Sequence, residues 1–253
     1  MRLDRLLVER GLAPSRERAQ RLVMAGDVLV DERVISKPGT EVRSDAVVRL
    51  RAAPSSYVSR GGEKLAGALE TFGLDVAGRV VLDVGASTGG FTDVCLRRGA
   101  RRVTAVDVGY GQLAWALRQD PRVTVLERQN ARFLTPDLLP EPPDLAVVDV
   151  SFISLTLVLP AVAAVLAPAA HVVALVKPQF EVGKGEVGKG GVVRDDAKRA
   201  AAVARVRAAA ETAGFTIAGE AESILPGPKG NREIFLWGVR GIEHEGEAGK
   251  PDV

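Results

Sequence analysis

The chain reads as a doubly wound α/β domain preceded by a small α+β domain, and three observations predict it. From about residue 64 to residue 213, short runs rich in Val, Leu and Ala alternate with longer segments of helical spacing, as in a parallel sheet covered on both faces. Val80-Val81-Leu82-Asp83-Val84 passes into Gly85-Ala86-Ser87-Thr88-Gly89-Gly90-Phe91, a strand ending in a glycine-rich turn that opens a helix. Before residue 50 the rhythm differs, with two short amphipathic stretches followed by brief β-branched runs.

Composition narrows the function classes. A chain of 253 residues can bury a large domain and a small one. Its net charge of +2 does not by itself argue for nucleic acid, but residues 1–60 carry 12 Lys/Arg against 8 Asp/Glu. One cysteine, Cys95, excludes an internal disulfide, and with only His171 and His244 there is no Cys/His zinc cluster. Catalysis must therefore use Lys, Asp, Glu and backbone. Arg2, Asp4 and Arg5 stand where a signal peptide needs an apolar core, so the expected location is cytoplasmic. Leu155 to Val176 is apolar enough to suggest a membrane span, yet Pro160 and Pro168 divide it into a buried helix and a strand, and no stable membrane insertion is expected.

Taken in order, Leu3, Leu6 and Leu7, then Ala19, Leu22 and Val23, mark two short helices, the second capped by Ser15 and flanked by Arg16, Arg18 and Arg21. Gly26-Asp27-Val28-Leu29-Val30-Asp31 turns into strands, with Val34, Val42, Val47 and Val48 as later candidates. Ser15-Arg16, Ala19, Leu22-Val23, Gly26, Val28, Val30-Asp31 and Lys37-Pro38 resemble the S4 RNA-binding fold over roughly residues 1–50. Asp31 departs from that pattern, which more often has Asn. The resemblance implies phosphate contacts from Arg5, Arg16, Arg18, Arg21 and Lys37; taken alone, these cations read as a solvated face.

Residues 1–51 are thus assigned to this domain and 52–60 to a linker, with Arg60 at its end a further expected RNA contact. Residues 61–240 form the larger domain and 241–253 an acidic tail expected to be disordered. Within the larger domain the pattern predicts helices at 64–72, 89–98, 111–118, 155–166 and 195–213. Strands are predicted at 79–84, 102–107, 122–126, 144–149 and 171–176, with a hairpin near 215–239.

The turn after the first of these strands is a cradle for a nucleotide-type cofactor. Gly85 is followed by Ala86, Ser87 and Thr88 before Gly89 and Gly90, which is not the G-x-G-x-x-G of a pyrophosphate site. The segment instead resembles motif I of S-adenosylmethionine-dependent methyltransferases. That resemblance implies S-adenosyl-L-methionine over Gly85, Ser87, Thr88, Gly89, Gly90 and Phe91, with Asp83 near its amino-acid end. Asp107 ends the next strand, 24 residues after Asp83, where a carboxylate takes ribose hydroxyls. Asn130 follows the third strand at the expected place of an adenine contact.

Four residues stand at strand ends or at the domain entry: Lys64, Asp149, Lys177 and Glu233. Singly each has a bland reading, such as an Asp149–Lys177 structural ion pair. Together, Lys-Asp-Lys-Glu and their flanks resemble the catalytic tetrad of FtsJ-type ribose 2′-O-methyltransferases, on a Rossmann-like sheet. With Ala-Ser-Thr-Gly-Gly-Phe, Asp-Val-Gly-Tyr-Gly-Gln-Leu and Val-Lys-Pro-Gln-Phe-Glu-Val-Gly, residues 1–240 resemble the TlyA family. The family is known both as haemolysins and as methyltransferases of cytidine in ribosomal RNA, which implies ribosomal subunits as partners. Some members modify both ribosomal RNAs; those modifying only the large-subunit RNA resemble this chain in lacking terminal extensions, and the expectation leans that way.

A ribose hydroxyl is a poor nucleophile until its proton is drawn off, and lysine, with a reference pKa of about 10.4, serves as base only if its surroundings favour the neutral form. Lys64 and a sulfonium favour proton loss from Lys177 while Asp149 and Glu233 oppose it, so Lys177 is read either as base or as the group orienting the 2′-oxygen. Gly183 to Gly190 nearly spells a phosphate-binding loop, but Gly190 stands where Ser or Thr would bind magnesium. It reads instead as a basic flap over RNA carrying Lys184 and Lys189. Two other classes stay open, a membrane-lytic protein and a non-catalytic RNA-binding assembly factor.

Overall fold

The computed structural model describes residues 1–24, 26–50, 56–183, 185–188, 190–227 and 229–241. Lys184 and Lys189, residues 52–55 of the expected linker and nearly all of the tail lie outside them. The chain divides into two compact units, Met1–Ser56 and Tyr57–Val253.

In the smaller unit α1 (Leu3–Glu9) and α2 (Arg16–Met24) pack on a three-stranded antiparallel sheet, β2-β1-β3, of β1 (Val28–Val30), β2 (Arg33–Val34) and β3 (Val48–Leu50). Leu3, Leu7, Ala19, Val23 and Val28 are buried in one cluster, the apolar stripe that the helical spacing foretold. Ser15 does cap α2, its Oγ accepting from the Arg18 N–H at 3.2 Å. Val42 and Val47 lie outside the strands. The β1–β2 turn places Asp31 and Glu32 at φ +46° and +62°. That conformation suits Asn, and Asp31 is secured in it because its carboxylate accepts the Val47 N–H at 2.9 Å.

In the larger unit a seven-stranded sheet runs β6-β5-β4-β7-β8-β10-β9. Parallel strands β4 (Val80–Val84), β5 (Arg102–Val106), β6 (Val123–Leu126), β7 (Leu145–Val148) and β8 (Ala170–Val176) are joined by antiparallel β10 (Ile234–Arg240) and β9 (Thr216–Glu222). Period-two alternation sorts the core. Val81, Leu145, Val147 and Val173 pack with α3 (Arg60–Phe72) and α4 (Gly90–Arg97) on one face. Leu82, Ala146, Val148 and Val172 pack with α6 (Leu155–Val165) and α8 (Asp196–Thr212) on the other. Pro160 lies on the exposed side of α6, and no helix among the described residues is long and apolar enough to cross a membrane.

Two expectations change. The helix foreseen at 111–118 is only the single turn α5 (Trp115–Arg118). Gly111 stands at φ +68° with its N–H held by Glu127 at 2.7 Å, and Ala114 is extended at φ −55°, ψ 137°, so the chain turns helical only after it. The linker foreseen at 52–60 ends sooner, because Tyr57 and Val58 pack on the larger unit's core, Val58 N–H donates to Asp93, and α3 begins at Arg60.

Asp4 secures the smaller unit. Wholly buried on α1, its carboxylate accepts from Arg2 at 3.0 Å, and from Arg16 and Gln20 of α2 at 3.0 Å each. These donors, Arg2 first, hold its carboxyl well below the usual carboxylate range. A depressed folded-state value adds stability that is full above the unfolded value near 4 and disappears as pH falls through the folded one. Asp4→Asn is expected to cost the smaller unit about 2 kcal/mol at pH 7, with the gap to wild type closing in strong acid, measured by calorimetric unfolding of the full chain across pH.

Candidate active site

The site forms where β4, β5, β7 and β8 reach their carboxyl ends, the crevice expected of a doubly wound sheet. The glycine-rich turn is a strained ridge there, with Gly85, Ser87 and Gly89 at φ +88°, +48° and +95°. Gly85 must be glycine for a second reason, since a Cβ would stand 2.4 Å from the Asp149 carbonyl oxygen. Asp107, just past β5, accepts the Ser87 N–H at 2.8 Å and the Gly109 N–H at 2.7 Å. Its carboxylate lines a small pocket with Ala86, Ser87, Ala105, Gly109, Gln112, Leu113, Val125 and Glu127. Gln112 and Glu127 were not foreseen, because an isolated polar residue in a loop carries no spacing signal.

The other residues of the loop divide by role. Thr88 gives its carbonyl to the Ala114 N–H, fixing the turn. Gly90 begins α4 so close to α3 that a Cβ would meet the Gly62 nitrogen at 2.8 Å. Phe91, foreseen as a cofactor contact, is instead buried in the core, its ring 6.2 Å from that of Phe235, because α4 turns it inward. Asn130, foreseen at the adenine, does not line the pocket; its side chain accepts the Arg132 N–H at 3.0 Å and caps a 3-10 turn.

The tetrad resolves into two ion pairs. Lys64 reaches from α3 to Glu233, just before β10, with Nζ to Oε2 at 2.6 Å; the pair is nearly sealed from solvent, at 10% and 0% side-chain exposure. Lys177, just past β8, pairs with Asp149, just past β7, and donates to Ser151 Oγ at 3.0 Å. Ile234 pairs with Val176 in the β10–β8 ladder, which brings Glu233 and Lys177 to the same sheet edge. Gly227 gives Glu233 its room, since a Cβ there would lie 2.4 Å from Oε1. Asn231, buried in the same turn, accepts the Val193 N–H at 2.9 Å and donates to the Gly191 carbonyl at 2.8 Å, fixing the chain two residues before Glu233.

Of the residues foreseen as RNA contacts, Arg5 and Lys37 are exposed, Arg16 is an Asp4 partner still 55% exposed, and Arg21 pairs with Glu17 at 3.7 Å. Arg18 and Arg60 are half-buried on α2 and α3. Phe152 was not foreseen. It stands 90% exposed three residues past Asp149, at φ +65°, with its ring 5.1 Å from that of Phe180.

Asp83 is wholly buried at the end of β4. Thr92 donates to its Oδ2 at 2.6 Å, whereas Oδ1 has no hydrogen-bond partner. Burial, reinforced by Asp149 and Asp107 and opposed by Thr92, pushes its pKa up to about 7. An orphaned carboxylate oxygen, a carboxylate-lined pocket and a strained ridge of small residues fit a cationic, ribose-bearing cofactor. Because the folded-state value of Asp83 is raised, its contribution is full below the unfolded value near 4 and is lost as pH climbs to about 7. Between pH 5 and pH 7.5, wild type is expected to lose about 2–3 kcal/mol relative to Asp83→Asn, measured by urea unfolding at both pH values.

The chain matches the family profile of FtsJ-like methyltransferases over residues 57–240 and that of the S4 domain over residues 1–48. It is 54% identical over 237 residues to the 16S/23S rRNA (cytidine-2′-O)-methyltransferase TlyA of Mycobacterium tuberculosis, covering 93% of this chain and 88% of that one. To the 23S rRNA (cytidine-2′-O)-methyltransferase TlyA of Campylobacter jejuni it is 34% identical, over 73% of this chain and 71% of that one. A solved structure from Streptococcus thermophilus is 44% identical, with a TM-score of 0.75, covering 95% of this chain and 88% of that chain. Two ion pairs at the strand ends, an S4 domain before them and identity across nearly the whole length lead to one conclusion: the chain belongs to the TlyA family of FtsJ-like methyltransferases.

Proposed function

We propose that this protein transfers a methyl group from S-adenosyl-L-methionine to the ribose 2′-hydroxyl of cytidine in ribosomal RNA, acting on ribosomal subunits in the cytoplasm. The observation that carries the reading is the gathering of Lys64, Asp149, Lys177 and Glu233 at one sheet edge beside the carboxylate-lined pocket. The smaller unit supplies phosphate contacts through Arg5, Arg16, Arg18, Arg21 and Lys37, with Arg60 and the flap residues Lys184 and Lys189 adding to them from the larger one.

When bound, S-adenosyl-L-methionine supplies an activated methyl group on a sulfonium. Asp107 would hold the ribose hydroxyls of that cofactor, the ridge from Gly85 to Gly89 its methionine portion, and Asp83 its ammonium group. The rest of the work is positioning. An ammonium has three N–H groups, and with Asp149 and Ser151 engaging the Lys177 amine, a further N–H can be aimed at the target 2′-oxygen. This supports orientation by Lys177, with the hydroxyl proton passing to water, over initial abstraction. Lys64, neutralised by Glu233, adds a fixed local field without net charge. The open face of Phe152 suits stacking of an unstacked base.

The higher identity to the relative named for both ribosomal RNAs, 54% against 34%, supports both subunits as substrates over the large one alone. The decisive assay incubates the protein with radiolabelled S-adenosylmethionine and unmodified subunits, separately. Label resistant to alkaline hydrolysis is expected in each, with a loss of about 100-fold or more in Lys177→Ala. Cofactor binding without any label in either subunit would sink the reading in favour of a non-catalytic assembly factor.

A further inference from the structure

One buried carboxylate near the site belongs neither to the tetrad nor to the pocket. Glu181 ends α7 (Pro178–Glu181), four residues past Lys177, and is 4% exposed. Its side chain crosses to the loop that follows β7. Ser154 Oγ donates to Oε2 at 2.5 Å, and the Leu155 N–H at the start of α6 donates to Oε1 at 2.8 Å. Its own carbonyl accepts from Arg205 of α8, so the clamp is backed by a long helix. A carboxylate at the first turn of α6 is also favoured by the helix dipole.

The two loops so joined carry the second ion pair. Residues 149–154 hold Asp149, Ser151 and Phe152, and residues 177–181 hold Lys177 and Phe180. They touch at three places: Lys177 on Asp149 and Ser151, Phe152 on Phe180, and Glu181 on Ser154 and Leu155. Of these, the Glu181 contact alone is buried away from the reacting groups. Phe152 has a positive φ that a bulky side chain rarely adopts, and such a conformation persists only where its surroundings dictate it. Without Glu181, the segment from Val150 to Ser154 has a free route to relax, carrying Ser151 and Phe152 with it.

We propose that Glu181 is a positioning residue for methyl transfer, fastening the Asp149 loop to the Lys177 loop so that the lysine amine and the target ribose oxygen stay in register. The proposal rests on the functional reading above and adds a residue to it. Glu181→Ala removes both bonds, whereas Glu181→Gln keeps both, since its amide oxygen accepts from Leu155 and its NH2 donates to Ser154 Oγ.

The test reads two quantities in wild type and both variants: hydrogen exchange at the Leu155 amide, and steady-state methylation of ribosomal subunits with S-adenosylmethionine varied. Expected for Glu181→Ala are lost protection at Leu155 and a kcat lower by about 10- to 100-fold, with the KM for S-adenosylmethionine within about threefold. Glu181→Gln is expected to recover protection and to turn over within about threefold of wild type. Unchanged exchange in Glu181→Ala overturns the clamp, whether or not any methyl group is transferred. Lost protection with unchanged kcat overturns the positioning role and leaves the functional reading standing. A kcat and KM that worsen together mark a merely structural residue, and a Glu181→Gln as slow as Glu181→Ala shows that charge, not fastening, is what matters; either overturns the proposal. A wild-type protein that methylates no RNA overturns the functional reading itself, and with it the catalytic part of the role.

Discussion

The Lys64–Glu233 ion pair sets the geometry on which the rest of the larger unit depends. It joins α3, the unit's first helix, to the start of β10, its last strand, across 169 positions of sequence. Sealing two charges from water is costly, and hydrophobic residues of similar volume would often serve stability as well or better. The fold nonetheless arranges itself around the pair. Gly227 lacks a side chain where Glu233 needs space, Asn231 fixes the backbone two residues before it, and Gly62 and Gly90 let α3 and α4 approach to backbone contact. Such accommodations are better explained by a site that needs fixed charges than by a core that needs binding energy.

The same economy governs the second pair. Lys177 and Asp149 lie just past the ends of the adjacent parallel strands β8 and β7, two positions out of the ladder's register, and their side chains close that offset while Ser151 completes the amine's surroundings. Two lysines balance two carboxylates. What remains uncompensated is Asp83 and Asp107, one buried and half-neutralised near pH 7, the other held by backbone amides. A crevice so arranged favours a cationic guest at one end and leaves a neutral, ordered donor set at the other, which is where a polyanionic chain can approach without strong repulsion.

Much of this was legible in the sequence, and the exceptions share a cause. The alternation of β4, α4, β5, β7, α6 and β8 is strong because parallel strands buried on both faces must be continuously apolar. The tetrad positions were legible as residues beside strand ends, and the Asp149–Lys177 pair as one reading of two of them, but nothing in spacing says that Lys64 meets Glu233. The helix foreseen at 111–118 shrank to a single turn because Gly111 adopts the left-handed region and Ala114 is extended, which the spacing of apolar residues does not report. The partners that Phe91 and Asn130 take in the fold went unread for a related reason. A motif fixes where the backbone of a loop runs, whereas the direction of each side chain depends on packing partners far away in sequence. Thr92, Glu127 and Glu181 went unseen because their roles exist only once the strands are side by side.

Arg16 shows that a structural and a binding role for one side chain are not alternatives. Its Nε is committed to Asp4, which accounts for the residue without any RNA. Yet a guanidinium has five N–H donors in a planar fork, and a side chain 55% exposed keeps the others toward solvent. Fixing one edge of the fork removes rotamer freedom before any phosphate arrives, and that freedom is part of what binding would otherwise have to give up. Asp4 carries this further, because the same carboxylate also engages Arg2 and Gln20 and thereby orients donors from the residue before α1 and from α2 together. The buried acid of the smaller unit thus both holds two helices together and fixes Arg2, Arg16 and Gln20 in place, so the packing of the helices and the placing of these donors rest on one carboxylate.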